Sequence, residues 1–215
     1  MLIVHFILHI EEHLRTFCLN HGTWIYVLLF LIIFCETGLV ILPFLPGDSL
    51  LFAVGALAST GLIDIYTVLW SLIIAAILGD SINYILGAWV GPRVFHQEKG
   101  LWFRKEYLHR AHAFYEKYGA KAIVLARFVP IIRTFAPFVA GIGTMNYRRF
   151  LLYNVVGAVA WIGVFLLGGY FLGNIPYVKS NFKLLLLLII IGSLMPIIWE
   201  WWQVSGKKKL SFSRD

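Results

Sequence analysis

Four stretches of the sequence are too long and too apolar for an ordinary water-soluble domain. Residues 16–35, 150–178 and 184–199 contain no charged side chain, and residues 65–92 contain only one, Asp80. Because a helix needs about 20 apolar residues to cross the hydrocarbon layer of a bilayer, at least three of these stretches can span a membrane. With 60% hydrophobic and 13% charged residues overall, the chain is predicted to be an all-α, multi-pass membrane protein.

The formal net charge of +7 follows the predicted topology. Most basic side chains lie in one connection, in one adjacent pair and in the tail: Arg93, Lys99, Arg104, Lys105, Arg110, Lys117, Lys121, Arg148, Arg149, Lys207, Lys208, Lys209 and Arg214. Such clusters are typical of cytoplasmic loops. They therefore predict a cytoplasmic linker and a cytoplasmic C-terminus, and they favour anionic lipid headgroups over nucleic acid as their partners.

The apolar segment between Lys121 and Arg148 reads AIVLARFVPIIRTFAPFVAGIGTMNY and should begin and end on the cytoplasmic side. It is too short for two crossings of about 20 residues each. The sequence therefore predicts a re-entrant hairpin, in which Pro130 and Pro137 interrupt the helix where the chain turns.

Residues 24–60 pose a similar problem on the other side of the membrane. This segment should start and end outside, and it is predicted to turn at Pro43, Pro46 and Gly47. Its length permits either a second hairpin or a pair of crossings.

The whole chain, residues 1–215, is predicted to be a single transmembrane domain. Its parts are an amphipathic helix (1–22), a hairpin plus span (24–90), a cytoplasmic linker (91–121), a re-entrant hairpin plus span (122–172), a final span (183–204) and a cytoplasmic tail (205–215). The two hairpin-plus-span units enter from opposite faces, which is the plan of an inverted repeat.

Ionisable side chains inside a membrane cost roughly a few kcal/mol each and usually mark a transport pathway or a partnered site. Glu36 and Asp48 bracket the prolines of the first hairpin, and Arg127 and Arg133 flank Pro130 in the second. Asp48 could serve only as a helix N-cap, and Glu36 only as the partner of an arginine. The arginines could snorkel or form structural salt bridges, but their rigid forks also suit phosphate oxygens.

Two further features lie in the predicted span 65–90. Asp80 is either the structural partner of Tyr84, one turn further on, or a third acid that handles protons. A row of small residues around it favours close packing against another helix. The row consists of Ala75, Gly79, Gly87 and Gly91, with the polar Asn83 among them.

The segments FCETGLVILPFLPGDSLLFAVGALAS, GDSINY and ARFVPIIRTFAPFVAGIGTMNYRRF, in this order, closely resemble the hallmark motifs of the DedA family of bacterial inner-membrane proteins. The resemblance covers nearly the whole chain. It implies a lipid transporter of the bacterial inner membrane with two opposed re-entrant hairpins. It also implies family roles in recycling undecaprenyl phosphate, scrambling phospholipids and proton-dependent envelope maintenance. The family's essential acids match Glu36 and Asp48, and its essential arginines match Arg127 and Arg133.

Three functions fit these features to different degrees. Proton-coupled transport of a phosphate-bearing lipid, with undecaprenyl phosphate favoured, assigns phosphate binding to Arg127 and Arg133 and proton exchange to Glu36, Asp48 and Asp80. Without substrate, the acids of the first hairpin are expected to pair with both arginines. A small-ion antiporter would not need the arginines, and phospholipid scrambling is a further alternative. A membrane enzyme is disfavoured because no nucleophile with a histidine base is legible.

No cofactor and no metal site are expected. His5, His9 and His13 form a row on the predicted interfacial helix, but no set of cysteines accompanies them. The expected partners are membrane lipids, the lipid-phosphate substrate and protons, with homo-oligomerisation left open.

Overall fold

The computed structural model describes residues 10–38, 47–94, 116, 118–143, 145–176, 184 and 187–188. Within these residues all regular structure is helical, as predicted. The helices are α1 (Ile10–His21), α2 (Trp24–Gly38), α3 (Gly47–Ser59), α4 (Ile65–Val94), α5 (Ala122–Ala126), α6 (Pro130–Ile142), α7 (Tyr147–Ile162) and α8 (Gly168–Gly173). A 3₁₀ turn, Gly119–Lys121, leads into α5, and a π-helical segment, Gly163–Leu167, joins α7 to α8.

Several predicted parts lie outside the described residues. They are the first nine residues with His5 and His9, Pro43 and Pro46, most of the linker 91–121, nearly all of the final span 183–204, and the tail 205–215. The predicted amphipathic helix is therefore described only from residue 10 onward, as α1.

Two helical stretches are long and apolar enough to cross a membrane. One is Ile65–Trp89 within α4, and the other is Tyr147–Gly173, which runs through α7, the π-helical segment and α8. The apolar helices α2 and α3 contain only 15 and 13 residues. At a rise of 1.5 Å per residue they are about 22 and 20 Å long. Neither is long enough to cross a hydrocarbon layer of roughly 30 Å by itself.

The first hairpin, formed by α2 and α3, opens at the start of α4. The backbone amide of Asp64, just before α4, donates a hydrogen bond to the Tyr26 hydroxyl near the start of α2, at 2.9 Å. The Cys18 thiol in α1 donates to the Leu62 carbonyl at 3.5 Å. Because Leu62 and Asp64 lie in the short connection between α3 and α4, the beginning of α2 and the end of α3 are at the same end of α4.

Asp64 also caps the first turn of α4. Its carboxylate accepts a hydrogen bond of 2.7 Å from the backbone amide of Thr67, which satisfies one of the amides left unpaired at a helix start. The Thr67 side chain and amide hold the pKa of this exposed carboxyl below its usual value.

The second hairpin, formed by α5 and α6, opens toward the other end of α4. The Tyr84 hydroxyl donates to the carbonyl of Met145, just after α6. Tyr84 also stacks on Phe150 with ring centres 4.5 Å apart, in a small core cluster that includes Ile123 of α5. Because Tyr84 lies about 28 Å along α4 from its first residue, the two hairpins approach each other from opposite ends of this helix.

The turn of the second hairpin lies at residues 127–129. As predicted, α6 begins at Pro130, after the extended residue Val129. The prediction that Pro137 also interrupts the helix is wrong, because Pro137 lies inside α6. A proline in that position removes one backbone hydrogen bond, and such a loss is tolerated where the helix is packed against protein, as at buried Pro137.

Four glycines mark close contacts between each hairpin and the long helix of the other unit. The contacts are those of Gly55 with Leu166 and Tyr170, Gly169 with Phe52, Gly141 with Tyr84 and Ala88, and Gly87 with Phe138. A Cβ atom at any of the four glycines would overlap the facing backbone. The contacts correspond in position, since 52 and 55 in α3 are spaced like 138 and 141 in α6. Gly87 also confirms the packing predicted for the small residues of α4.

Candidate functional site

The end of α2, the start of α3 and the first turn of α6 meet at a buried arginine. Arg133 in α6 donates to Asp48 at 2.9 Å through Nη1 and to Glu36 through Nη2. Glu36 lies near the end of α2 and Asp48 in the first turn of α3. The side chains of Arg133 and Glu36 are only 7% and 1% exposed. Two carboxylates from the first hairpin therefore share one guanidinium from the second, within a single chain.

Gly47 makes room for this arrangement. It is the first residue of α3, and a Cβ atom in its place would lie 2.6 Å from the carboxyl carbon of Glu36. The Glu36 carboxylate can therefore lie against the N-terminus of α3 only because residue 47 has no side chain. Gly47 was predicted only to break the helix, and its role in accommodating Glu36 could not be predicted from the sequence.

Arg127 forms a separate buried cluster. Its Nη2 donates to Asp80 of α4 and to the side-chain oxygen of Asn154 of α7, both at 2.5 Å. Asn154 in turn donates to the carbonyl of Ile77 at 3.1 Å. Arg127 and Asp80 are each 2% exposed. The expectation that Arg127 pairs with the acids of the first hairpin is thus replaced by a pair with Asp80, and Asp80 has Arg127 rather than Tyr84 as its ionic partner.

Trp161 of α7 connects the two clusters. Its indole N–H donates to Asp48 Oδ1 at 2.8 Å, and its ring centre is 4.7 Å from the guanidinium carbon of Arg133 and 5.8 Å from that of Arg127. The side chain is completely buried. Sequence reasoning missed Trp161. The available signal was its position in the middle of an apolar stretch, away from the ends where membrane-interface tryptophans lie.

Asn83 of α4 is hydrogen-bonded to the backbone of both hairpins. Its side-chain amide donates to the carbonyl of Thr134 at 2.8 Å and to that of Thr37 at 3.3 Å. Thr37 follows Glu36, and Thr134 follows Arg133. Asn83 is completely buried, so its bonds fix the backbone beside both members of this ion pair. From the sequence, Asn83 was predicted only to lie among the small residues on one face of the helix.

The two clusters differ in charge. We call Glu36, Asp48 and Arg133 the Arg133 cluster, and Asp80 and Arg127 with Asn154 the Arg127 cluster. With all groups ionised, the Arg133 cluster has one negative charge in excess, whereas the Arg127 cluster is neutral. Among the residues that the structure describes, the Nε and Nη1 groups of Arg127 and the Nε group of Arg133 have no hydrogen-bond acceptor.

These properties define what the site can do chemically. A single proton can neutralise the Arg133 cluster, and the unsatisfied guanidinium donors suit an oxyanion such as phosphate. In the described part of the chain, no three side chains among His, Cys, Asp and Glu are grouped closely enough to hold a metal ion.

Comparison with known proteins identifies relatives over most of the chain. A model of the VTT domain matches residues 45–171, a range that contains every site residue except Glu36. Protein DedA of Escherichia coli strain K12 is 52% identical over 200 residues, which cover 92% of this chain and 91% of that protein. An uncharacterized membrane protein of Mycobacterium tuberculosis is 45% identical over 170 residues, with coverages of 78% and 74%.

A more distant relative is the inner membrane protein YqjA of Escherichia coli strain K12. It is 34% identical over 175 residues, which cover 81% of this chain and 78% of that protein. No solved structure matches the chain significantly.

Proposed function

The chain belongs to the DedA family of membrane proteins, which contains the VTT domain, and from that premise we propose that it carries out proton-coupled transport of a phosphate-bearing lipid across the bacterial inner membrane. Undecaprenyl phosphate is the lipid that the family resemblance favours. The observation that carries the proposal is the pairing of Arg133 with two carboxylates of the opposite hairpin. Arginine is a side chain that binds phosphate well. The four charged residues predicted from the sequence act at this site, and Asp80 acts as the partner of Arg127.

The proposed membrane arrangement is an inverted repeat of two re-entrant hairpins. Three observations support it. The helices of the first hairpin are too short to cross, each hairpin opens at a different end of α4, and the glycine contacts between the units are reciprocal. The basic linker and tail then face the cytoplasm, so the second hairpin opens inward and the first opens outward.

The transport step is an exchange of partners at Arg133. In the unloaded state the guanidinium neutralises part of the charge of Glu36 and Asp48. An entering phosphate competes for the same donors, because its oxygens accept hydrogen bonds in the same fork geometry as a carboxylate. The displaced acids lose their counter-charge in a buried place, and a buried carboxylate without a counter-charge favours its protonated form. Phosphate binding is therefore coupled to proton uptake without any covalent step.

Arg127 adds donors to the same anion site. Its Nη2 remains bound to Asp80 and Asn154, while its Nε and Nη1 lack acceptors among the described residues. The Trp161 ring lies close to both guanidinium groups. A phosphate headgroup that contacts both arginines would have four or more donors within reach, while its lipid tail extends toward the apolar surface of the long helices.

Reconstitution into liposomes tests the proposal directly. The purified protein is placed in vesicles with a fluorescent polyprenyl phosphate, and loss of label from one leaflet is measured with and without a pH gradient. Labelled phosphatidylglycerol and phosphatidylethanolamine are assayed in parallel. Gradient-dependent movement of the polyprenyl phosphate is expected for the wild type and for Arg148→Lys, an exposed control, but not for Arg133→Lys.

Other outcomes would redirect the proposal. Movement of all lipids without regard to the gradient indicates a scramblase, and cation flux without lipid movement indicates an ion antiporter. Hydrolysis of the labelled lipid would indicate an enzyme.

A further inference from the structure

Trp161 contacts one acid and both arginines of the site, although it carries no charge itself. Its indole N–H donates to Asp48 at 2.8 Å, and its ring lies beside Arg133 and Arg127. We propose that Trp161 is a positioning residue that fixes the Asp48 carboxylate and the two arginines relative to one another. The part that concerns lipid binding rests on the proposed function, and the part that concerns Asp48 does not.

The link to Asp48 follows from the donor that the indole provides. The N–H group can only donate, and it donates to Oδ1 of Asp48, the same oxygen that accepts from Nη1 of Arg133. Asp48 also faces Glu36 on α2 across the shared Arg133, and the Asp80–Arg127 pair lies next to these groups. Trp161 is an uncharged donor on a long helix. It therefore holds the Asp48 carboxylate in the orientation in which it binds Arg133.

The link to the arginines follows from the face of the ring. A guanidinium within about 6 Å of an indole centre is attracted by the ring's negative face, more strongly where water is excluded. Arg133 and Arg127 satisfy this distance at 4.7 and 5.8 Å, and Trp161 is fully buried. The ring occupies no hydrogen-bond donor of either arginine. It can therefore keep both guanidinium groups in place when Arg133 exchanges its carboxylates for a phosphate.

The backbone around Trp161 suits this role. The π-helical segment Gly163–Leu167 begins two residues after it, and π-helical turns occur frequently at functional sites. Beyond that segment, Gly169 packs tightly against Phe52 of α3. Phe52 lies four residues after Asp48 on α3, so the hydrogen bond of Trp161 and the contact of Gly169 hold this stretch of helix against the same part of α3.

Two substitutions separate the two links. Trp161→Phe keeps an aromatic ring and removes the N–H donor, whereas Trp161→Leu removes both. Trp70→Phe is the matched control, because Trp70 is 61% exposed on α4. The carboxylate stretching bands of Asp48 are measured by infrared difference spectroscopy of the purified protein at one fixed pH, and their absence in Asp48→Asn assigns them. Binding of polyprenyl phosphate is measured on the same samples.

In Trp161→Phe the Asp48 carboxylate bands should shift in frequency, because a hydrogen bond to a charged group has been lost. Trp161→Leu should show the same shift and also bind polyprenyl phosphate about tenfold more weakly, because two cation–π contacts are gone. Trp70→Phe should match the wild type in both measurements.

The proposal is overturned if the Asp48 carboxylate bands of Trp161→Phe lie at the wild-type frequencies. It is also overturned if Trp161→Phe and Trp161→Leu weaken lipid binding equally. If the wild type binds no phosphate lipid at all, the proposed function fails, and the infrared spectrum of Trp161→Phe still decides whether Trp161 positions Asp48. Because Trp161→Phe alone is enough for that decision, a failure of Trp161→Leu to fold leaves the test intact.

Discussion

The two arginines of the second hairpin lie six residues apart in the sequence, yet their surroundings differ in charge and in rigidity. Arg127 pairs with one acid, Asp80, and with Asn154, both carried by long helices. Arg133 pairs with two acids, Glu36 and Asp48, both carried by the short helices of the other hairpin. With all groups ionised, the Arg127 cluster is neutral, whereas the Arg133 cluster has one negative charge in excess. Two arginines of the same hairpin are therefore expected to have different roles.

This difference has a physical basis in how buried ions are stabilised. A buried ion pair offsets its desolvation only with good geometry and full compensation. The Arg127 cluster meets the charge requirement and connects the turn of the second hairpin to α4 and α7, so it suits a fixed anchor. The Arg133 cluster has an uncompensated negative charge when all groups are ionised, so it suits a site where a proton or an anion enters and leaves. The following substitutions test that division.

The largest effect is expected from removing the charge of Arg127. Arg127→Gln leaves Asp80 buried without a counter-charge, which costs about 3–5 kcal/mol and should sharply lower the thermal stability of the detergent-solubilised protein. The double variant Arg127→Gln, Asp80→Asn should recover most of that stability, because two neutral amides can bond to each other. Size-exclusion chromatography after heating measures both. An Arg127→Gln protein as stable as the wild type would refute the anchor role.

The next effect concerns Arg133→Lys, which keeps the charge and removes the fork. Lysine is a point charge that cannot donate to two carboxylates, or to two phosphate oxygens, in the geometry of a guanidinium. Transport of polyprenyl phosphate should fall at least about tenfold, while stability changes little because the positive charge remains. Initial transport rates at matched protein amounts check this, with Arg148→Lys as the exposed control. Unchanged transport would mean that only the charge of Arg133 matters.

Neutralising either acid should affect coupling more than binding. Glu36→Gln and Asp48→Asn remove the excess charge of the Arg133 cluster, so phosphate lipid should bind as well as in the wild type or more tightly. Because only one of the two acids can then take up and release a proton, the dependence of transport on a pH gradient should be reduced or lost. Paired measurements of lipid affinity and of transport with and without the gradient are needed. Wild-type gradient dependence in a variant would make that acid a structural partner only.

Gly47→Ala is expected to have a smaller but specific effect. The added methyl group would overlap the Glu36 carboxylate and push it away from Arg133, so the variant should resemble Glu36→Gln in its gradient dependence. Gly163→Ala is the matched control, because a Cβ atom there has no other atom within 4 Å. Equal behaviour of the two alanine variants would show that the close contact at Gly47 is not needed.

Much of this site could be predicted from the sequence, because charges in an apolar segment are costly and therefore conspicuous. Four charged residues were predicted to lie inside the membrane, and all four are buried or largely buried in the structure: Glu36, Asp48, Arg127 and Arg133. The chain also turns directly before Pro130. The ion pairs could not be predicted, since two acids and two arginines can pair in more than one way and only the three-dimensional packing places Asp80 beside Arg127.

The uncharged members of the site were harder to identify. Trp161 and Asn83 carry no charge, and in an apolar helix an aromatic or amide side chain is ordinary packing material unless its partner is known. Pro137 was assigned to a break because proline usually ends a helix in water. Inside a packed membrane protein the same residue is tolerated within α6.

The smallest effect is expected from Asp64→Asn, which serves as the reference for both clusters. Asp64 is an exposed carboxylate just before α4, and Asp48 is a largely buried one in the first turn of α3, so the same substitution compares an exposed helix cap with a carboxylate inside an ionic cluster. Hydrogen bonds from Thr67 lower the pKa of Asp64. Its contribution to stability is therefore present above the unfolded pKa of about 3.9 and is lost as the pH falls through the lower folded value. Asp64→Asn should remove this acid-side dependence and leave gradient-dependent transport at the wild-type rate. If it reduced coupling as Asp48→Asn does, the excess charge of the Arg133 cluster would not be what sets coupling apart.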